Sequence, residues 1–135
     1  MTGLLAAMTG LLAGSLLAAL EPVHLVGIGG ALGAWARHLL AGVVDHEEFP
    51  TGTLAVNVLG TFVFALLIFA GAESEWLLLL GVGACGSFTT FSSFSYETVR
   101  LWETGEPIKA TVNAAGNLLC CLAAAGTAWL LVLLL

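Results

Sequence analysis

The chain has 135 residues, 59% hydrophobic and only 9% charged, with nine acidic residues against three basic ones and a formal net charge of −6. That length sets a ceiling of one domain. Water-soluble domains carry about 25% charged residues, so a composition this poor in charge, with a mean hydropathy of +1.05, excludes a soluble globular protein and points to an integral membrane protein. The acidic balance argues against nucleic acid and anionic headgroups as partners, since both are polyanions. Cys85, Cys120 and Cys121 all lie inside apolar segments, where small, buried packing is expected rather than a disulfide framework.

A membrane-crossing helix needs about 20 largely apolar residues, and five stretches approach that. Met1 to Leu20 carries no charge, ends at Glu21-Pro22 and repeats Thr2-Gly3-Leu4-Leu5-Ala6 as Thr9-Gly10-Leu11-Leu12-Ala13. An additional helix, a peripheral apolar extension and a misassigned start all fit it; the expectation taken forward is an N-terminal extension over residues 1–22 holding an extra helix. Val23 to Val44 is apolar apart from His24, Arg37 and His38, and the acidic turn Asp45-His46-Glu47-Glu48-Phe49-Pro50 follows. Thr53 to Ala72 is broken only by Asn57 and threonines, Trp76 to Leu101 starts apolar and becomes hydroxyl-rich, and Ile108 to Leu135 carries Asn113 and Asn117 near its start. Trp76, Trp102 and Trp129 fall near segment ends, as interfacial aromatics do. The pattern predicts an all-α protein with a four-helix unit over residues 23–135. Arg37, Arg100 and Lys109 fall towards one side if the four segments alternate. So small a basic bias suits a subunit that inserts both ways, or one of two oppositely oriented partners.

Polar groups inside hydrocarbon are costly and face protein or a water-filled path. In the third segment Gly81, Gly83 and Gly86 precede seven hydroxyl residues, from Ser87 to Tyr96. Glycine and serine or threonine pairs mark kinks and helix breaks, and a break, here Gly86 to Thr89, exposes carbonyls that can hold a cation when buried in protein. Close helix packing with hydroxyls bonded back to the preceding turn is the alternative. Asn57 shares a helix face with Gly60 and Thr61, and Asn113, Asn117 and Cys121 make a stripe at four-residue spacing. Each arrangement also fits hydrogen bonding between packed helices. Gly29 and Gly33 have the spacing of a packing face. Arg37, close to its segment end, is expected in a structural or water-facing role.

These features occur together, in order, in one family. Gly29-Gly30-x-x-Gly33-Ala34-x-x-Arg37, Asn57-x-x-Gly60-Thr61 and, nearly residue for residue, Cys85-Gly86-Ser87-Phe88-Thr89-Thr90-Phe91-Ser92-Ser93-Phe94-Ser95-x-Glu97 resemble the helix signatures of the Fluc (CrcB-type) fluoride channels. The resemblance covers Val23 to the C-terminus. It implies a four-helix subunit with a broken third helix, paired as an antiparallel, dual-topology dimer in the cell membrane. The dimer is formed by two copies or by two homologous subunits of opposite orientation. The resemblance further implies two pores along the dimer interface for passive fluoride export, which relieves cytoplasmic fluoride toxicity. By position, Phe91 and Phe94 are the pore phenylalanines and Asn57 the pore amide. Gly86 and Thr89 supply backbone carbonyls, from both subunits, to a central structural sodium ion. Asn113 and Asn117 stand where the family's last helix usually carries a tyrosine and a serine, and Ser87 where glycine is common.

Physical chemistry is consistent with that assignment. Fluoride is small and strongly hydrated, so a pore must replace water with donors. Asn57, Asn113, Asn117, Ser92 and Ser95 are neutral donors that can hold and release an anion. Phe91 and Phe94 offer positively polarised ring edges. A small multidrug exporter needs a carboxylate in its first helix, and Val23 to Val44 has none. A non-transporting assembly subunit has no use for two phenylalanines within a hydroxyl track. No metal-ligand spacing, paired nucleophile or phosphate loop suggests an enzyme.

Overall fold

The computed structural model describes residues 12, 14–16, 19–44 and 49–135. The extra helix expected within Met1 to Leu20 lies mostly outside the described residues, and so do residues 45–48 of the acidic turn. Among the described residues the regular elements are helices. Helix α1 is Pro22–Val44 and α2 is Thr51–Phe69. Helix α3 runs through three consecutive pieces, Ser74–Trp76, Leu77–Cys85 and Gly86–Phe88. Helix α4 is Phe91–Glu103 and α5 is Pro107–Leu134.

The chain marks its own helix boundaries. Pro22 and Pro107 occupy first positions, where the missing N–H costs nothing and the fixed φ suits a helix. Helices α2 and α4 end identically. Gly71 and Gly105 take positive φ (67° and 85°), a region that glycine enters without a Cβ clash. Gly71 N–H then bonds the Ile68 carbonyl (3.1 Å) and Ala72 N–H the Leu67 carbonyl (3.0 Å), while Gly105 and Glu106 repeat the pattern on Trp102 (3.2 Å) and Leu101 (2.9 Å). This paired closure satisfies carbonyls that a helix end leaves open, and it fixes the short turns into α3 and α5.

The core is small. Leu25, Val56, Ala65, Cys85, Ala110 and Ala128 are its buried apolar residues, whereas Ile28, Leu32, Val63, Leu119, Leu122 and Leu130 are exposed. A water-soluble fold would hide the second group; a fold solvated by lipid has no reason to. Among the described residues, three stretches are long and apolar enough to cross a membrane: Thr51–Phe69, Ser74–Glu103 and Pro107–Leu134.

Helix α1 packs on α3 and α2, and α5 packs on α2 and α4. The α1–α3 contact explains the glycines. The Leu77–Cys85 piece is a wide π-helix, and its backbone lies directly on α1. A Cβ at Gly29 would overlap the Leu79 carbonyl, one at Gly33 the Ala84 carbonyl, and one at Gly83 would come within 2.8 Å of the Val26 carbonyl. Gly29 and Gly33 are thus the packing face that their spacing predicts.

The third segment is broken at the far end of the Gly86–Thr89 stretch rather than at the glycine itself. Gly86 keeps helical angles (φ −62°, ψ −34°), and the helix continues to Phe88. Extended geometry begins at Thr89 (φ −78°, ψ 159°) and continues at Thr90 (φ −149°, ψ 117°). The physical reason is capping. Thr90 Oγ1 accepts from the Ser93 N–H at 3.1 Å and starts α4, which is the role for which threonine is favoured. The break is therefore set by the threonine, with Gly86 one turn before it.

Candidate functional site

Asn57 points from the middle of α2 into the break. Its Oδ1 accepts the Thr90 N–H at 2.8 Å and its Nδ2 donates to the Thr90 carbonyl at 3.1 Å. The amide thereby satisfies both backbone groups of a residue that has left the helix, groups that would be costly if bare in an apolar surround. In a continued helix the Thr90 N–H would close on the Gly86 carbonyl; here it is diverted. Thr89 turns back, its N–H and hydroxyl both donating to the Cys85 carbonyl at 3.0 Å.

Asn57 Nδ2 also donates to Asn117 Oδ1 at 3.0 Å. Asn117 Nδ2 donates to Asn113 Oδ1 at 3.1 Å and to the Asn113 carbonyl at 3.2 Å. Asn113 Nδ2 donates to Thr98 Oγ1 at 2.8 Å, and the Thr98 hydroxyl donates to the Phe94 carbonyl at 2.7 Å. Asn113 and Asn117 are 1% and 6% exposed, so this polar chain lies inside the subunit, between α2, α4 and α5. A separate tie, from Thr53 Oγ1 to Glu97 Oε1 at 2.7 Å, joins α2 to α4 further along.

Beside these amides is a cavity of about 500 Å³. Asn57, Thr89, Thr90, Phe91, Phe94, Asn117 and Cys121 are among its lining residues. Phe91 and Phe94 contribute its aromatic wall, with ring centroids 5.6 Å apart and planes tilted by 50°. Phe91 is 79% exposed on the subunit, and Phe94 is half-buried. A second cavity of about 370 Å³ is lined by Gly60, Thr61, Phe64, Gly81, Gly86 and Thr89, among others. Thr61 and Thr89 thus border both spaces.

Asn57, Asn117, Phe91 and Phe94 therefore meet at one cavity, and Gly86 and Thr89 meet at the next. Ser92 is exposed at the start of α4, its Oγ 3.3 Å from Thr90 Oγ1. Ser95 is half-buried on α4, and neither serine lines the larger cavity. Asn113 lies behind Asn117, away from the cavity wall. Arg37 is half-buried on α1 and lines neither space. Sequence reasoning passed over two residues. Thr90 caps α4 and receives Asn57, and a threonine ahead of a helix is a readable signal for the first role only. Thr98 ends the amide chain, and nothing in its spacing announces that.

Residues 24–129 match the family described as "CrcB-like protein, Camphor Resistance (CrcB)". The chain is 62% identical over 111 residues, 82% of its length and 93% of the relative's, to "Fluoride-specific ion channel FluC 2" of Haloarcula marismortui. It is 50% identical over 111 residues, with the same coverage, to "Fluoride-specific ion channel FluC 1" of Halobacterium salinarum. It is 45% identical over 103 residues, 73% of its length and 83% of the relative's, to "Fluoride-specific ion channel FluC" of Methanocaldococcus jannaschii. The match runs from α1 through α5 and takes in the threonine-capped break, so the chain is a multi-pass membrane protein that belongs to the CrcB-like family.

Proposed function

We propose that this protein is a fluoride-selective channel, not an enzyme, which lets fluoride leave the cytoplasm passively and so relieves its toxicity. One observation carries the reading: Asn57, Asn117, Phe91 and Phe94, drawn from three helices, meet at one cavity beside a helix break. The names of the three relatives point the same way. The proposed path runs over the ring edges of Phe91 and Phe94 and past Asn57, with Ser92 and Ser95 as further donors and the Asn113–Asn117 stripe as its polar backing. Ring edges carry partial positive charge, and neutral donors release an anion more readily than a fixed cation would.

The working unit is a dual-topology, antiparallel dimer of four-helix subunits, made of two copies or of two homologous subunits, with a pore on each side of the interface. Lipid offers no donors or acceptors, yet Ser92 and Gly86 lie exposed on the subunit within the third apolar segment, beside the 79% exposed Phe91. A second subunit over this face accounts for all three.

Between the two breaks the dimer would hold a structural sodium ion on the carbonyls of Gly86 and Thr89. The residues fit such an ion. The Thr90 N–H that a continued helix would give to the Gly86 carbonyl is bonded to Asn57 instead, and the Thr89 backbone is extended. Carbonyl oxygens suit a hard cation, and among the described residues no group of three or more His, Cys, Asp or Glu forms a chelating site. When bound, the ion would supply positive charge to oxygens that otherwise lack a donor. The test of function is growth. Cells stripped of their own fluoride exporters and expressing this protein should grow at fluoride levels that arrest the parent strain. Equal arrest of both, with the protein present in the membrane, would count against the proposal.

A further inference from the structure

The amide chain behind the cavity has one direction. It starts at the Thr90 N–H, which can only donate, and ends at the Phe94 carbonyl, which can only accept. Every link between them follows from those ends. Asn57 must turn Oδ1 to Thr90, which leaves Nδ2 for Asn117 Oδ1 (3.0 Å). At the far end the Thr98 hydroxyl gives its only hydrogen to Phe94, so it can only accept from Asn113 Nδ2 (2.8 Å). Asn113 Oδ1 is then the acceptor left for Asn117 Nδ2 (3.1 Å). An asparagine amide turned by half a rotation exchanges donor for acceptor, and here both ends forbid it.

Two consequences bear on the ion path. Both acceptors of Asn57 Nδ2 lie within the protein, Thr90 O and Asn117 Oδ1, so an anion at Asn57 takes a hydrogen that the chain already holds. Asn117 shows Asn57 an oxygen, and an oxygen repels an anion. We propose that Asn113, Asn117 and Thr98 are positioning residues: a one-way hydrogen-bond chain that steadies the Asn57 amide in the orientation Thr90 sets, with Thr98 as its terminal stop. This rests on the reading of Asn57 as a pore residue. The Thr98 hydroxyl acts at a distance, because Thr98 lies outside the lining of the larger cavity. Without it, the buried Asn113 amide turns to find another acceptor and its Oδ1 leaves Asn117. Asn117 Nδ2 is then held only by the Asn113 carbonyl, so Asn117 Oδ1, the acceptor for Asn57 Nδ2, is less firmly placed.

The experiment is fluoride efflux from proteoliposomes bearing the full chain, its Thr98→Val and Thr98→Ser variants, and both Thr98→Val and wild type in an Asn117→Ala background. Thr98→Val should slow fluoride about three- to tenfold, the scale of one buried hydrogen bond, while Thr98→Ser keeps the wild-type rate. In the Asn117→Ala background the chain is already cut, so Thr98→Val should add nothing. Each variant is first checked for the wild-type elution profile; if Thr98→Val fails it, Thr98→Ala takes its place in both backgrounds. Wild-type flux in the hydroxyl-free variant, equal loss in Thr98→Ser, or losses that multiply across the two sites would overturn the chain as a positioning device. Absence of fluoride flux from the wild type would instead strike the channel reading itself.

Discussion

Asn57 and Thr90 are bonded twice, side chain to backbone: Thr90 N–H to Oδ1 at 2.8 Å and Nδ2 to the Thr90 carbonyl at 3.1 Å. This pairing lets a membrane helix stop and restart, because α2 supplies the donor and acceptor that water supplies elsewhere. Asn57→Leu leaves both backbone groups of the buried Thr90 bare, at a cost of roughly 2–4 kcal/mol. Thermal unfolding in detergent should show that loss, and the variant should carry no fluoride. Asn57→Asp keeps an acceptor for the Thr90 N–H but cannot donate, and it sets a carboxylate on the proposed anion path. It should block flux while recovering part of the stability.

The α1–α3 contact predicts a sharp contrast among glycines. Gly33→Ala sets a methyl group into the Ala84 carbonyl, a backbone atom that cannot step aside. Overpacking of this kind costs about 1–3 kcal/mol or more, and the variant should aggregate or melt early on size-exclusion chromatography. Gly42→Ala, with nothing within 4 Å of the added carbon, should elute and melt as the wild type does.

How much of this was legible in the sequence depended on the kind of signal. Helix bounds were nearly readable from apolar runs of about 20 residues, and the structure adds that Pro22 and Pro107 open helices while Gly71 and Gly105 close them. The packing role of Gly29 and Gly33 followed from spacing. The position of the break was not readable from glycines, because Gly86 stays helical and the capping hydroxyl of Thr90 decides it. The stripe at Asn113 and Asn117 was visible, yet its burial was not. Burial depends on a tertiary partner, Thr98, that lies 15 residues from Asn113 in the chain.

Phe91 and Phe94 differ in surroundings and should differ in response. Phe91, 79% exposed on the subunit, has few intramolecular contacts to lose, so Phe91→Ile should leave subunit folding intact and still cut fluoride flux about two- to tenfold, on the scale of a lost edge-on aromatic contact. Phe94→Ile, at a half-buried site, should cut flux and also lower the melting temperature. Circular dichroism melts beside flux measurements separate the two.

If Gly86 and Thr89 carbonyls hold sodium, removing sodium should weaken the folded dimer. A ligand at 100 times its dissociation constant stabilises by about 2.7 kcal/mol. Exchange of sodium for N-methylglucamine should therefore lower the melting temperature, and added sodium should restore it with a saturable dose response. Equal melting in both salts at matched ionic strength would remove the ion from the account.

The central claim is tested most directly by comparing halides. Liposomes carrying the purified protein are loaded with fluoride or with chloride, and efflux of each is followed with an ion-selective electrode. The account predicts rapid fluoride release, well above protein-free liposomes, with chloride release no faster than those controls. Chloride passing as fast as fluoride, or fluoride leaving no faster than from bare liposomes, would contradict it.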